Sequence, residues 1–381
     1  MNKNNNILFL LHLPPPIHGS SIVGQIIKDS KLINSSFKTR FINLLISRSI
    51  DESGKAKLLK LGRFINSWFK LLIELFKEKP NLCYFALSNS GSAFYKDVAL
   101  LFLLRLFKVE TVFHLHSKGV KKNESNKINY MLYKYVFKKS SVIILSHYQY
   151  EDIDTFVTKN NLYICANGIP DVVEEFRLHA IKEKQAKCND MVEILFLSNL
   201  MESKGVFVLL EACKIIKNKN IPFYCTFVGG EGDITDDKFL QKVQELNLEN
   251  HVKYIGKKYG EDKIEVFSKA DIFAFPTYNE TFGLVNLEAM QFSIPIVSTF
   301  EGGIPDVVND GITGFLVKQR DVFGLAEKLE LLILNPELRT KMGVAGRLKY
   351  EKEFTLQAFE TKLQEILESI LLNETEKKDN K

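Results

Sequence analysis

The chain predicts an α/β protein of two units, each a doubly wound parallel sheet wrapped by helices, and three observations carry that prediction. Its 381 residues exceed one typical core, and at roughly 150 residues per domain they suggest two units. Short apolar runs alternate with stretches of helical periodicity, the pattern of parallel strands joined by helical crossovers. Between the halves, Asn167-Gly168-Ile169-Pro170 is strong turn punctuation, and the Glu-, Lys- and Ala-rich segment 171–190 after it has the character of a linker.

In the first unit, residues 1–170, strands are predicted at Ile7 to Leu13, Cys83 to Leu87, Thr111 to Leu115, Val142 to Leu145 and Leu162 to Ala166. The first of these is cut short by three prolines and lacks a small-residue cleavage site, so it reads as a strand and not as a signal peptide. Within Gly54 to Pro80, Lys55, Lys57, Lys60, Arg63 and Lys70 are interleaved with Leu, Ile, Phe and Trp. Such a basic, aromatic-bearing helix suits either the surface of a βα unit, the favoured reading, or contact with anionic lipid.

The second unit, residues 191–350, opens at Glu193 to Leu197 and continues with strands at Phe223 to Val228, Val252 to Ile255, Ile272 to Phe275 and Ile296 to Ser298. Over 351–372, Leu356, Phe359, Leu363, Ile366, Leu367 and Ile370 make one apolar helical stripe. The tail 373–381 has no apolar residue and is expected to be disordered. No run reaches the ~18 apolar residues of a membrane span.

Hydrophobic residues at 45% and charged residues at 25% supply an ordinary globular core and exclude a disordered or fibrous chain. The net charge of +5 favours an anionic partner such as a nucleotide diphosphate or a lipid surface, and no nucleic-acid-binding signature accompanies it. Cys83, Cys165, Cys188, Cys213 and Cys225 are scattered singly, without a zinc or disulfide pattern, which fits a reducing cytoplasm.

The stretch Asn279-Glu280-Thr281-Phe282-Gly283-Leu284-Val285-Asn286-Leu287-Glu288-Ala289-Met290 follows a predicted strand, and Leu284, Leu287 and Met290 have helical spacing. Glu280 therefore falls on the connecting loop and Glu288 on the helix. The free N–H groups and dipole of that helix start attract an anion, so a phosphate can sit at Phe282-Gly283-Leu284. Glu280 can then accept hydrogen bonds from sugar hydroxyls and Glu288 from a ribose. The spacing alone also fits a capped helix bearing two solvated glutamates.

With these residues the chain resembles the retaining nucleotide-sugar glycosyltransferases of family 4, of bacterial surface-polysaccharide type. The resemblance extends over nearly the whole length, through Pro14-Pro15-Pro16-Ile17-His18-Gly19, Phe113-His114-Leu115-His116, Asn167-Gly168-Ile169-Pro170, Ser203-Lys204-Gly205, Val228-Gly229-Gly230-Glu231-Gly232, Gly302-Gly303-Ile304-Pro305-Asp306 and Asp310-Gly311-Ile312-Thr313-Gly314. It implies two Rossmann-like domains facing across a cleft (GT-B) and a C-terminal helix crossing back to the first domain. The implied activity is retaining, metal-independent transfer of a sugar from a nucleoside-diphosphate-sugar to a glycan or lipid-linked acceptor, with no cofactor.

The resemblance also distributes roles. Lys204 reaches the diphosphate, and Glu280 and His116 contact the transferred sugar. His114 points to the same side of its strand as His116, which leaves the assignment between them open. Gly19 and Gly229 permit close approach of the donor, and Thr281, Phe282, Gly283, Leu284 and Glu288 line it. Where the family usually has Gly-Arg, this chain has Ser198-Asn199, and Asn199 offers the donor a hydrogen bond but no charge. That substitution keeps open a non-catalytic nucleotide-sugar-binding subunit, and a nucleotide-sugar 2-epimerase on the same fold is a third reading.

Overall fold

The computed structural model describes residues 5–15, 19–44, 57–173 and 191–379. They form two compact units, one built from residues 1–167 with 357–381 and the other from Gly168–Leu356. Each is centred on a six-stranded, wholly parallel sheet.

The first sheet has the order β2-β1-β3-β4-β5-β6, from β1 (Asn6–Leu11), β2 (Lys38–Asn43), β3 (Leu82–Leu87), β4 (Glu110–Leu115), β5 (Ser141–Ile144) and β6 (Leu162–Ile164). Every residue of β1 and β3 is buried, as expected of central strands covered by helices on both faces. Sequence pattern did not reveal β2, because Lys38-Thr39-Arg40-Phe41-Ile42-Asn43 is an edge strand, half exposed and largely polar. The basic helix spans Lys57–Lys77 and buries Leu71 and Leu75 in the unit's core.

The second sheet has the order β12-β11-β10-β7-β8-β9, from β7 (Val192–Leu197), β8 (Phe223–Val228), β9 (Val252–Tyr254), β10 (Ile272–Phe275), β11 (Ile296–Thr299) and β12 (Gly314–Val317). The edge strand β12, which opens on Gly314 directly after the turn at 310–313, was not read from the sequence. Parallel pairing brings the carboxyl ends of all six strands to one edge of the sheet. The loops that follow β7, β8, β10 and β11 gather there, where ligands of such sheets bind.

Two boundaries differ from the sequence expectation. The first unit ends at Asn167, and residues 168–173 are tied into the second. Ile169 N donates to Phe354 O (3.0 Å), Tyr350 Oη to Ile169 O (3.0 Å) and Gln291 Nε2 to Pro170 O (2.8 Å). The buried Arg347 guanidinium donates to Asp171 Oδ1 (3.1 Å). The remainder of the expected linker, 174–190, lies outside the described residues, as does Cys188. The last helix runs over Leu356–Asp379, so the tail expected to be disordered continues the helical backbone to Asp379; no glycine or proline interrupts it. Phe359, Leu363, Ile366, Leu367 and Ile370 of this helix are buried, and residues 357–381 belong to the first unit. Among the described residues no helix is long and apolar enough to cross a membrane.

Candidate functional site

In the second unit the site grows from the loop between β10 and the helix Leu284–Gln291. Gly283 caps that helix with φ +83°, a conformation that favours glycine, and no side chain caps its first-turn N–H groups. The loop is clamped from beneath by the segment after β11: Gly303 N donates to Thr281 O (2.7 Å), and Glu280 N donates to Glu301 Oε1 (3.1 Å). Gly302 has φ +53°, and a Cβ there would lie 2.2 Å from Glu280 O. No larger residue fits without pushing the loop away.

Lys204, on the turn after β7, reaches across to this loop. Its Nζ donates to Asn279 O (2.8 Å) and to Glu280 Oε2 (2.9 Å), while Glu280 Oε1 accepts from Thr281 N (2.8 Å). An ammonium has three donors, so these bonds leave one for an anion. Both side chains are about one-fifth exposed, which shields their attraction from water more than at an open surface. The structure thus brings Lys204 and Glu280 together on the loop that leads into the helix start at Phe282–Leu284.

Glu288 lies one turn into the same helix, and Lys263 Nζ is 2.7 Å from each of its carboxylate oxygens. Asn199 lies on the loop after β7. Its Oδ1 accepts from Gly230 N (3.2 Å), so it ties the loop after β7 to the loop after β8. In that second loop Gly229 N donates to Gly256 O (3.0 Å) and Gly229 O accepts from Tyr254 Oη (2.9 Å). The N–H groups of Gly229 and Gly230 therefore serve loop structure.

Two contributors escaped the sequence analysis. Glu301, nearly buried, holds the Glu280 backbone and also accepts from Gln319 Nε2. Its position directly before Gly302-Gly303 was the available signal. Lys263 comes from the helix Gly260–Lys269, and nothing local in sequence links it to Glu288. A separate cavity of about 690 Å³ opens towards the amino-terminal part of β7 and β8, lined among others by Glu193, Tyr224, Thr226, Lys253 and Arg339. None of the sequence-proposed residues lines it, so it is no rival for the carboxyl-edge site.

The first unit separates the two histidines. His114 is wholly buried, its Nδ1 hydrogen-bonded to Tyr84 Oη, and burial, then the neighbouring His116, pushes its pKa well below the ordinary range. His116 follows the carboxyl end of β4, is partly exposed, and sets its ring centroid 4.1 Å from that of His114, tilted by 38°. Of the pair, His116 is the one a ligand can reach. Gly19 opens the helix Gly19–Asp29 that follows β1, and residues 16–18 before it lie outside the described residues.

Residues 179–349 match the family model described as glycosyl transferases group 1. The chain is 27% identical over 322 residues to the capsular polysaccharide biosynthesis glycosyltransferase CapM of Staphylococcus aureus, covering 81% of each chain. Its fold is similar to sucrose-phosphate synthase from Thermosynechococcus elongatus, with a TM-score of 0.75 at 20% identity over 97% of this chain and 100% of that one. It is also similar to Anabaena Alr3699/HepE in complex with UDP-glucose, with a TM-score of 0.70 at 18% identity over 96% and 99%. The group 1 model and the matched relative make the chain a glycosyltransferase, on the two-unit α/β fold of the GT-B class.

Proposed function

We propose that this glycosyltransferase moves a sugar from a nucleoside-diphosphate-sugar to a hydroxyl of a glycan or lipid-linked glycan in surface polysaccharide biosynthesis. The transfer retains anomeric configuration and uses no metal ion. One observation carries the reading: Lys204 Nζ is held at 2.8 Å by Asn279 O and at 2.9 Å by Glu280, beside a helix start with no side-chain cap. As the bond from sugar to diphosphate breaks, negative charge collects on the departing oxygen, and the remaining Lys204 donor and the Phe282–Leu284 N–H groups supply the opposing field. Glu280 orients the sugar, Glu288 the ribose, and His116 contacts the transferred sugar on the family resemblance. The name of CapM supports the polysaccharide assignment, and the UDP-glucose bound to Alr3699/HepE supports the donor class.

The test is a thermal-shift screen of nucleotide-sugars, followed by transfer measured after exhaustive chelation. A donor at 100 times its dissociation constant stabilises the fold by ~2.7 kcal/mol. Transfer should survive the chelator; abolition, with recovery on adding magnesium or manganese, would overturn the metal-free mechanism. Donor binding without turnover on any acceptor would favour a nucleotide-sugar-binding subunit, and conversion of the donor without acceptor would favour an epimerase.

A further inference from the structure

The helix Lys57–Lys77 buries one face and leaves a second apolar face in water. Ile65, Phe69, Ile73 and Phe76 are 44%, 52%, 51% and 74% exposed. At 3.6 residues per turn they fall within an arc of about 80°. The neighbouring helix Gly91–Leu106 adds Phe102 and Leu106, 60% and 66% exposed. The two helices meet at their carboxyl ends, where the Phe76 and Phe107 rings lie edge to face at 5.1 Å. A contiguous apolar surface of this kind marks an interaction site.

The charge around it says what covers it. The described side chains of the first helix include Lys70 and Lys77 against one acidic residue, Glu74. Glu74 is turned to Arg40 (3.0 Å) and Lys77 (2.8 Å). Lys70 and Lys77, both exposed, continue the apolar arc on one side. Beyond the second helix stand exposed Lys108 and, where Arg105 Nη2 donates to Lys138 O (3.0 Å), Lys138 and Lys139. A second copy seated on this face would set lysine against lysine. Anionic headgroups with acyl chains beneath them complement both the cations and the aromatics.

We infer that these two helices lie flat on an anionic membrane surface, with Phe69, Phe76 and Phe102 inserted at the headgroup boundary and the lysines on the phosphates. The inference goes beyond the proposed transfer reaction and shares no residue with the donor site. It gives a physical reason for a lipid-linked acceptor, which would be met at the same surface.

The full chain is to be sedimented with vesicles of phosphatidylcholine alone and with vesicles containing phosphatidylglycerol, at low and high salt. Binding at least tenfold tighter to the anionic vesicles, weakened by salt, is expected. The exposed-site variant Phe69→Ser/Phe102→Ser should lose at least tenfold in binding, and Lys70→Glu severalfold, while thermal unfolding and nucleotide-sugar thermal shifts stay unchanged. Failure to bind anionic vesicles would overturn the inference, as would binding indifferent to the Phe69→Ser/Phe102→Ser pair. Concentration-dependent self-association abolished by that pair would do the same, assigning the face to a second copy. Vesicle binding and donor-dependent thermal shift are separate readouts, so either proposal can fail alone.

Discussion

Lys204 Nζ lies 2.9 Å from Glu280 Oε2, although the two residues are 76 positions apart and sit on loops after different strands. The pair joins the group assigned to the leaving diphosphate with the group assigned to the sugar. Asn279 O fixes the lysine from a second direction, so its position does not depend on the carboxylate alone. The ammonium is therefore held in place by two contacts of the protein itself.

Lys204→Ala should lower kcat/KM by about 100-fold, because one preorganised donor to a developing anion is worth ~3 kcal/mol. Steady-state kinetics with saturating acceptor measures it. A loss confined to KM would mean that the lysine binds the donor uniformly without favouring the transition state.

Glu288 is held by Lys263 at 2.7 Å, and each side chain is 28% exposed. If Glu288 bonds a ribose alike in ground and transition states, Glu288→Ala raises the donor KM and largely spares kcat. Lys263→Met should act in the same direction but less, by roughly three- to tenfold, since a partly exposed pair is worth about 1 kcal/mol. A fall in kcat from Lys263→Met with unchanged KM would place Lys263 in the chemistry instead.

Asp97, buried in the first unit, accepts a hydrogen bond from Ser88 N (2.8 Å), and burial pushes its carboxyl up to about 7 from an ordinary value of 3.8. The folded state therefore holds this proton more tightly than the unfolded chain does. The stability linked to it is fully present below about pH 4 and is lost as pH rises through about 7. Asp97→Asn keeps an acceptor for Ser88 without a charge. Its melting temperature should exceed wild type at pH 8, with the gap closing towards pH 5. At about 1.4 kcal/mol per pKa unit the ceiling on the gain is on the order of 4 kcal/mol. A variant less stable than wild type at pH 8 would refute it.

The central strands were legible because a parallel strand covered on both faces is a bare apolar run, as in Leu82–Leu87 and Ile272–Phe275. β2 carries no such run because most of its residues are polar, and β12 because it opens on a glycine directly after the turn at 310–313; both emerged only in three dimensions. The same division holds in the site. Glu280, Gly283 and Glu288 share one strand-to-helix turn and could be read together. Lys263 and Glu301 act through contacts between distant elements, and the tie from Gly230 N to Asn199 Oδ1 joins loops that follow different strands. Spacing cannot report such contacts.

The chain leaves the first unit at Asn167 and rejoins it at Gln357, and where it does so Ile169 pairs in parallel with Thr355. The second unit is thus one continuous stretch, whereas the first is interrupted and completed by its last helix. During synthesis the second unit can bury its core as soon as Leu356 has emerged. The first must wait, with the apolar surface that receives Phe359, Leu363 and Leu367 still open, until the helix beginning at Leu356 has emerged as well. The order of birth along the chain is therefore reversed in the order of completion: the half that begins first finishes last.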